Sequence, residues 1–313
     1  VSAFGSDVER MYWTNKPMLH IAEADARAIA IRKYIEVERA VMALASVSHR
    51  SDALPSAVLL ELVDASLKEL TTGTIRPSGN FGFELEEIFE SLAKHADVER
   101  LEIAKREYAF LPLLDHRQRR LVLHDLLTSE PELYVQVLSD VYRAASASAD
   151  REVTEDQTRR ATMGYRLLQS MKTLPGSGEK GTLDGAVLRQ WVLSVRDLAA
   201  RADRAEIADH QIGRLLAYAP SDGDDHAWPH RAVRDLLEEV RSDALERTMQ
   251  SEQITKRGAY TKAPFEGGVQ ERVFAERARE WARVSRNWPR TSALLERIAV
   301  MWDGYAVRDD EDA

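Results

Sequence analysis

Apolar residues recur three and four positions apart through almost the whole of this chain, and Pro or Gly breaks the pattern at intervals. A stripe with that spacing covers one side of an α-helix, whereas a half-buried strand would need strict alternation. No window shows period-two alternation. The chain is therefore expected to be all-α, an irregular α-solenoid or a set of stacked antiparallel helical hairpins.

Particular segments carry this expectation. Over 22–48, Ala30, Tyr34, Val37, Val41 and Leu44 form one stripe, with Ile31, Ile35 and Met42 beside it, so one long helix is predicted there. Leu59, Val63, Leu67 and Leu70 repeat the spacing after Pro55, and Gly73 stands where a left-handed stop belongs. Further helices are predicted around Leu85–Leu92, at 97–110 and at 117–127. Ser129 with Glu132, and Thr154 with Gln157, each have the spacing of a reciprocal N-cap. Stripes follow at Leu188, Trp191, Val195 and Leu198, at Ile207, Ile212, Leu215 and Tyr218, and at Val233, Leu236, Leu237 and Val240. Near the end, Trp281 and Trp288 share a stripe with Phe274, and Trp302 joins Leu295, Ile298 and Tyr305, so these two helices should bury their rings against each other. Small polar residues at 144–153 and a Gly-rich stretch at 174–185 are candidate connectors, and the first suggests subdomains at 1–146 and 151–313, or one continuous array.

Charge and composition exclude several functions. The formal charge of −9 gives a surface that on average repels phosphate backbones, which argues against nucleic acid as a partner. The basic clusters at 116–120 and at Arg159, Arg160 and Arg166 remain the places where a helical nucleic-acid-binding module would make contact. With no cysteine there is neither a disulfide nor a thiolate metal site, which fits a cytoplasmic protein. The longest strongly apolar stretches, such as 54–63, are too short to cross a bilayer, so no membrane partner is expected. The chain opens on Val1 without a methionine and ends on an acidic run, and the expectation is that it forms the C-terminal part of a longer polypeptide.

Motifs of specific chemistry are weak. Lys180 precedes Gly181 rather than following it, so the Gly-rich stretch fails the phosphate-loop pattern. His124 and Asp125, with His95 upstream and Asp184 or Asp197 downstream, resemble the metal-binding order of HD-type phosphohydrolases, and a metal-dependent hydrolase is the enzymatic alternative. A second ligand-rich segment holds Asp209, His210, Asp222, Asp224, Asp225, His226 and His230. Asp-rich turns ahead of a Pro-started helix are also ordinary capping chemistry, so neither a metal nor a cofactor is assigned, and no catalytic residue is named.

The connector at 255–271 is the best candidate for partner binding. It sets Tyr260 and Phe265 among Arg257, Lys262, Pro264 and three glycines, a mixture that can present aromatic anchors from a fixed nonregular loop. The alternative is that both rings seal the underside of the loop.

The stretch beginning "RGAYTKAPFEGGVQERVFAERAREWARVSRNW", with "REYAFLPLL", "DHQIGRLLAYAP" and "WPHRAVRDLLEEV", resembles the C-terminal helical region of very large bacterial multidomain proteins, some of which accompany defence-type NTPases. The likeness covers about residues 100–313 and includes no Walker motif. It implies a sensor or scaffold arm of a larger protein and transfers no active-site residue.

Overall fold

The computed structural model describes residues 5, 7–8, 11–12, 23–30, 35–48, 54–74, 77, 79–114, 120–148, 153–178, 181–263 and 265–311. Among the described residues the secondary structure is helical, and the only pairing of extended backbone is an isolated bridge between Ser177 and Leu183. The all-α expectation holds. No helix among the described residues is long and apolar enough to cross a membrane. The chain divides into two compact units, Val1–Leu126 and Leu127–Ala313. The 144–153 segment lies inside the second unit.

In the first unit the helices are α1 (Glu23–Ala30), α2 (Val37–Ser48), α3 (Ser56–Thr71), α4 (Phe81–Ala93) and α5 (Arg100–Phe110), and the boundary falls within α6 (Val122–Ser129). α2 packs on α4 and α1 on α3, so each helix meets the one after next as well as its neighbour. The predicted stripe is the core: Val37, Val41, Leu44, Leu59, Val63, Leu85, Ile88 and Leu92 are all buried. The single helix expected over 22–48 is instead two helices, with Ile35 and Glu36 outside both, while Ile31 and Tyr34 lie outside the described residues. Met42, expected at the edge of the stripe, is half exposed. Gly73, with φ of 68°, supplies the left-handed stop after α3.

The second unit contains α7 (Pro131–Val141), α8 (Glu155–Ser170), α9 (Gly185–Arg201), α10 (Ala205–Leu216), α11 (Arg231–Val240), α12 (Asp243–Arg257), α13 (Val269–Val284) and α14 (Pro289–Glu311). Packing runs α7 on α8 and α9, α10 on α12, and most extensively α13 on α14. Thr154 and Gln157 form the expected reciprocal cap on α8, the Thr154 hydroxyl accepting from Gln157 N and the Gln157 side chain from Thr154 N. At α7 the N-cap position is not Ser129. Pro131 at the first position of α7 places the N-cap one residue later than expected, at Glu130, where no side chain caps the helix, and Ser129 ends α6.

The tryptophans sort by depth. Trp302 is buried against Phe274 at 5.1 Å between ring centroids, and Trp191 against Tyr134 at 4.8 Å. Trp281 meets Trp228 at 5.9 Å. Trp288 donates its indole N–H to Asp235, 2.6 Å away, and its ring lies under the fully buried Arg234.

Candidate partner-binding site

The segment between α12 and α13 is built around one carboxylate. Glu271 sits in the first turn of α13, where the helix dipole favours a negative charge, and its side chain has no solvent exposure. Two cations converge on it. Arg257, in the last turn of α12, bonds one carboxylate oxygen, and Lys262 donates to the other over 2.8 Å. Burial opposes ionisation of Glu271, but the bonds from Lys262 and Arg257 outweigh it and hold the carboxyl down at about 2.

The cations carry the loop with them. Lys262 also donates to Gly267 O over 2.8 Å and to Asp309 near the end of α14. Arg257 reaches Gln270 Oε1 at 3.0 Å, and the Gln270 amide returns to Thr261 O at 3.1 Å and Glu266 at 2.8 Å. Glu266 in turn accepts from Ala263 N over 2.7 Å. At the far side Gly268 N donates to Asp310 over 2.8 Å, and Gly268 packs so closely on the Ala306 backbone that a β-carbon would overlap it. The loop is thus fixed at both ends and in the middle.

The two rings do not seal it. Phe265 is 88% exposed and Tyr260 51%, and Tyr260 stacks on the Arg257 guanidinium with 3.3 Å from Cζ to the ring centroid. Phe265 has φ of 63°, the left-handed region that non-glycine residues enter at a cost of about 1–2 kcal/mol. Nothing in its own solvation explains that cost, since the ring meets water. Pro264 lies outside the described residues. Of the four predicted partner-binding residues, then, Arg257 and Lys262 fix the loop from within while Tyr260 and Phe265 face outward.

Sequence reasoning does not single out Glu271, nor Asp309 and Asp310, which stand in an acidic run with the look of a solvated end. An acidic residue in the first turn of a helix is usually an exposed dipole partner. The available signal was that Arg257, Lys262 and Glu271 fall within one short connector flanked by glycines.

The histidine constellations are occupied by local structure. His124 is 4% exposed and its Nδ1 accepts from Leu121 N at 3.3 Å, while Asp125 pairs with Arg100 and Arg120. His95 faces Asp97 at 3.7 Å. His210 Nδ1 meets the Thr248 hydroxyl at 2.7 Å. His230 caps α11, its Nδ1 accepting from Ala232 N at 3.2 Å, and His226 sits in a left-handed turn in the Asp-rich loop. That loop is held by Arg234, which bonds Asp225, Ala227 O and Pro229 O and keeps the Asp225 carboxyl down at about 2. Asp222 accepts from Arg231 N and Asp224 N. Among the described residues no three His, Asp or Glu side chains form a group that could hold a metal ion.

The remaining motifs behave similarly. Asp184 accepts from Ala186 N and Val187 N, so the first amides of α9 are taken, and Asp197 pairs with Arg201. Lys180 and residues 116–119 lie outside the described residues. Arg159 and Arg160 both face Asp156. Compared with family models, curated proteins and solved structures, the chain matches none.

Proposed function

We propose that this chain is a non-catalytic protein–protein interaction module, a scaffold or sensor arm of a larger cytoplasmic bacterial polypeptide, and that it docks a protein partner through Phe265 and Tyr260. The observation that carries this reading is a strained, 88% exposed phenylalanine on a loop fixed by a fully buried carboxylate. Strain kept in a well-determined loop, with no solvation benefit, is the pattern of a site shaped for something outside the chain. Aromatic anchors held in place before binding lose little conformational entropy on docking, which is where such loops gain affinity. Arg257 behind Tyr260 keeps that ring in one orientation. The partner is another domain of the same polypeptide or a separate protein. The HD-type hydrolase reading draws no support from His124 and Asp125, whose side chains are engaged by Leu121 N and by Arg100 and Arg120.

The test is Phe265→Ala, expected to leave the melting temperature unchanged, and Tyr260→Ala, expected to lower stability by no more than the about 0.5–1 kcal/mol of its stack on Arg257. Capture of partner proteins from the host lysate by the full chain, quantified by mass spectrometry, should fall at least tenfold for Phe265→Ala. Capture that is indifferent to both substitutions defeats the reading.

A further inference from the structure

The outward face of α13 has a pattern of its own. Glu271, Ala275, Ala278 and Ala282 form its buried side against α14. On the opposite side Val269, Val273, Glu276, Arg277, Glu280 and Val284 all lie within about 60° of the Val273 direction, at 100° per residue. All six are exposed, the three valines to 55%, 53% and 38%. The other arginines of α13 each have a carboxylate: Arg272 bonds Asp310, Arg279 bonds Asp303, and Arg283 bonds Glu276 at 2.8 Å. Arg277 has no ion pair among the described residues.

The stripe is also nearly symmetric about the point between Glu276 and Arg277. Val269 and Val284 are equally far from it, as are Val273 and Glu280. Two copies of such a helix laid antiparallel about a two-fold axis place Val269 on Val284 of the other copy, at both ends. The same operation sets Glu276 against Arg277 of the other copy, twice, at the centre. An isologous interface requires this self-complementarity, because the same patch serves both copies.

We propose that the occupant of this face is a second copy of the chain, paired antiparallel along α13. The charge pattern argues for it: Arg277 lacks an ion pair among the described residues, and the two-fold supplies Glu276, which within its own chain meets Arg283 at 2.8 Å and Arg279 at 3.8 Å. A helix of this length spans about 24 Å, so the contact is small and the association weak, in the range of transient interfaces. The proposal does not involve the Phe265 loop, and its failure would leave the docking reading intact.

Sedimentation velocity on the full chain tests it, at low salt and over about 10 to about 200 µM, a range suited to weak interfaces. The wild type should shift from monomer toward dimer. Arg277→Glu and Glu276→Arg each place like charges at both central contacts and should weaken the association at least tenfold. Their equimolar mixture restores both pairs and should dimerise as the wild type does. Both positions are exposed, and unchanged circular dichroism will confirm that the variants are folded. A wild type that stays monomeric at the top of the range overturns the proposal, and so does a mixture no more associated than either variant alone.

Discussion

Replacing Glu271 by Gln keeps the shape of the side chain and removes its charge, leaving Arg257 and Lys262 facing a neutral amide. Two independent considerations set the cost. A carboxyl held at about 2 in the native state against an ordinary 4.5, at about 1.4 kcal/mol per pH unit, is worth about 3 kcal/mol at neutral pH. Lys262 and Asp309 are partly exposed, so water screens some of this, and about 2–3 kcal/mol is the expected loss. Removing one member of a buried ion pair costs about 3–5 kcal/mol, and an isosteric amide that retains one acceptor belongs at or below the lower end.

The assay is urea unfolding followed by tryptophan fluorescence, with Trp302 as the local reporter 5.7 Å from Arg257. Because the native pKa is depressed, the stabilisation is present above pH 4.5 and disappears as the pH falls toward 2. The gap between wild type and Glu271→Gln should therefore be about 2–3 kcal/mol at pH 7 and less than half of that at pH 3. A gap below about 0.5 kcal/mol at pH 7, within the range of ordinary surface changes, or one of the same size at both pH values, would refute the reasoning.

Glu107 predicts the opposite sign. Burial lifts its carboxyl to about 7 against the bonds from Leu123 N and Val122 N, so its contribution is complete below pH 4.5 and lost as the pH rises through 7. Hydrogen exchange of the α5 and α6 amides, corrected for intrinsic rates, should show protection increasing by up to about 3 kcal/mol between pH 8 and pH 5. Gly268→Ala should destabilise by about 1–3 kcal/mol in the same unfolding assay, because its β-carbon meets the Ala306 backbone. Ser285→Ala should be neutral or stabilising by up to about 1 kcal/mol, since the fully buried Ser285 hydroxyl has no hydrogen-bond partner among the described residues, and a large loss in thermal denaturation would show that it has one.

Where backbone and solvent decide structure locally, this chain could be read from its residues. The α3 and α4 stripes, the Gly73 stop and the Thr154–Gln157 cap all appear as expected, because each depends on neighbours within one or two turns. The break between α1 and α2 could not be read, because no Pro or Gly marks Ile35 and Glu36 and the apolar spacing continues across them. The site divides along the same line. Tyr260 and Phe265 were visible as aromatics in a glycine-flanked connector. Glu271 was not, because it lies on the side of α13 that packs against α14, a helix that begins eighteen residues downstream.

Lys262 and Gly268 both reach the final turn of α14, where Asp309 and Asp310 act as a latch on a loop more than forty positions upstream. Proteolytic trimming of that turn, or a cationic fusion placed against it, would be felt at Phe265 without touching the ring. The chemistry of the last helical turn thereby becomes a means of tuning the most exposed aromatic from a distance.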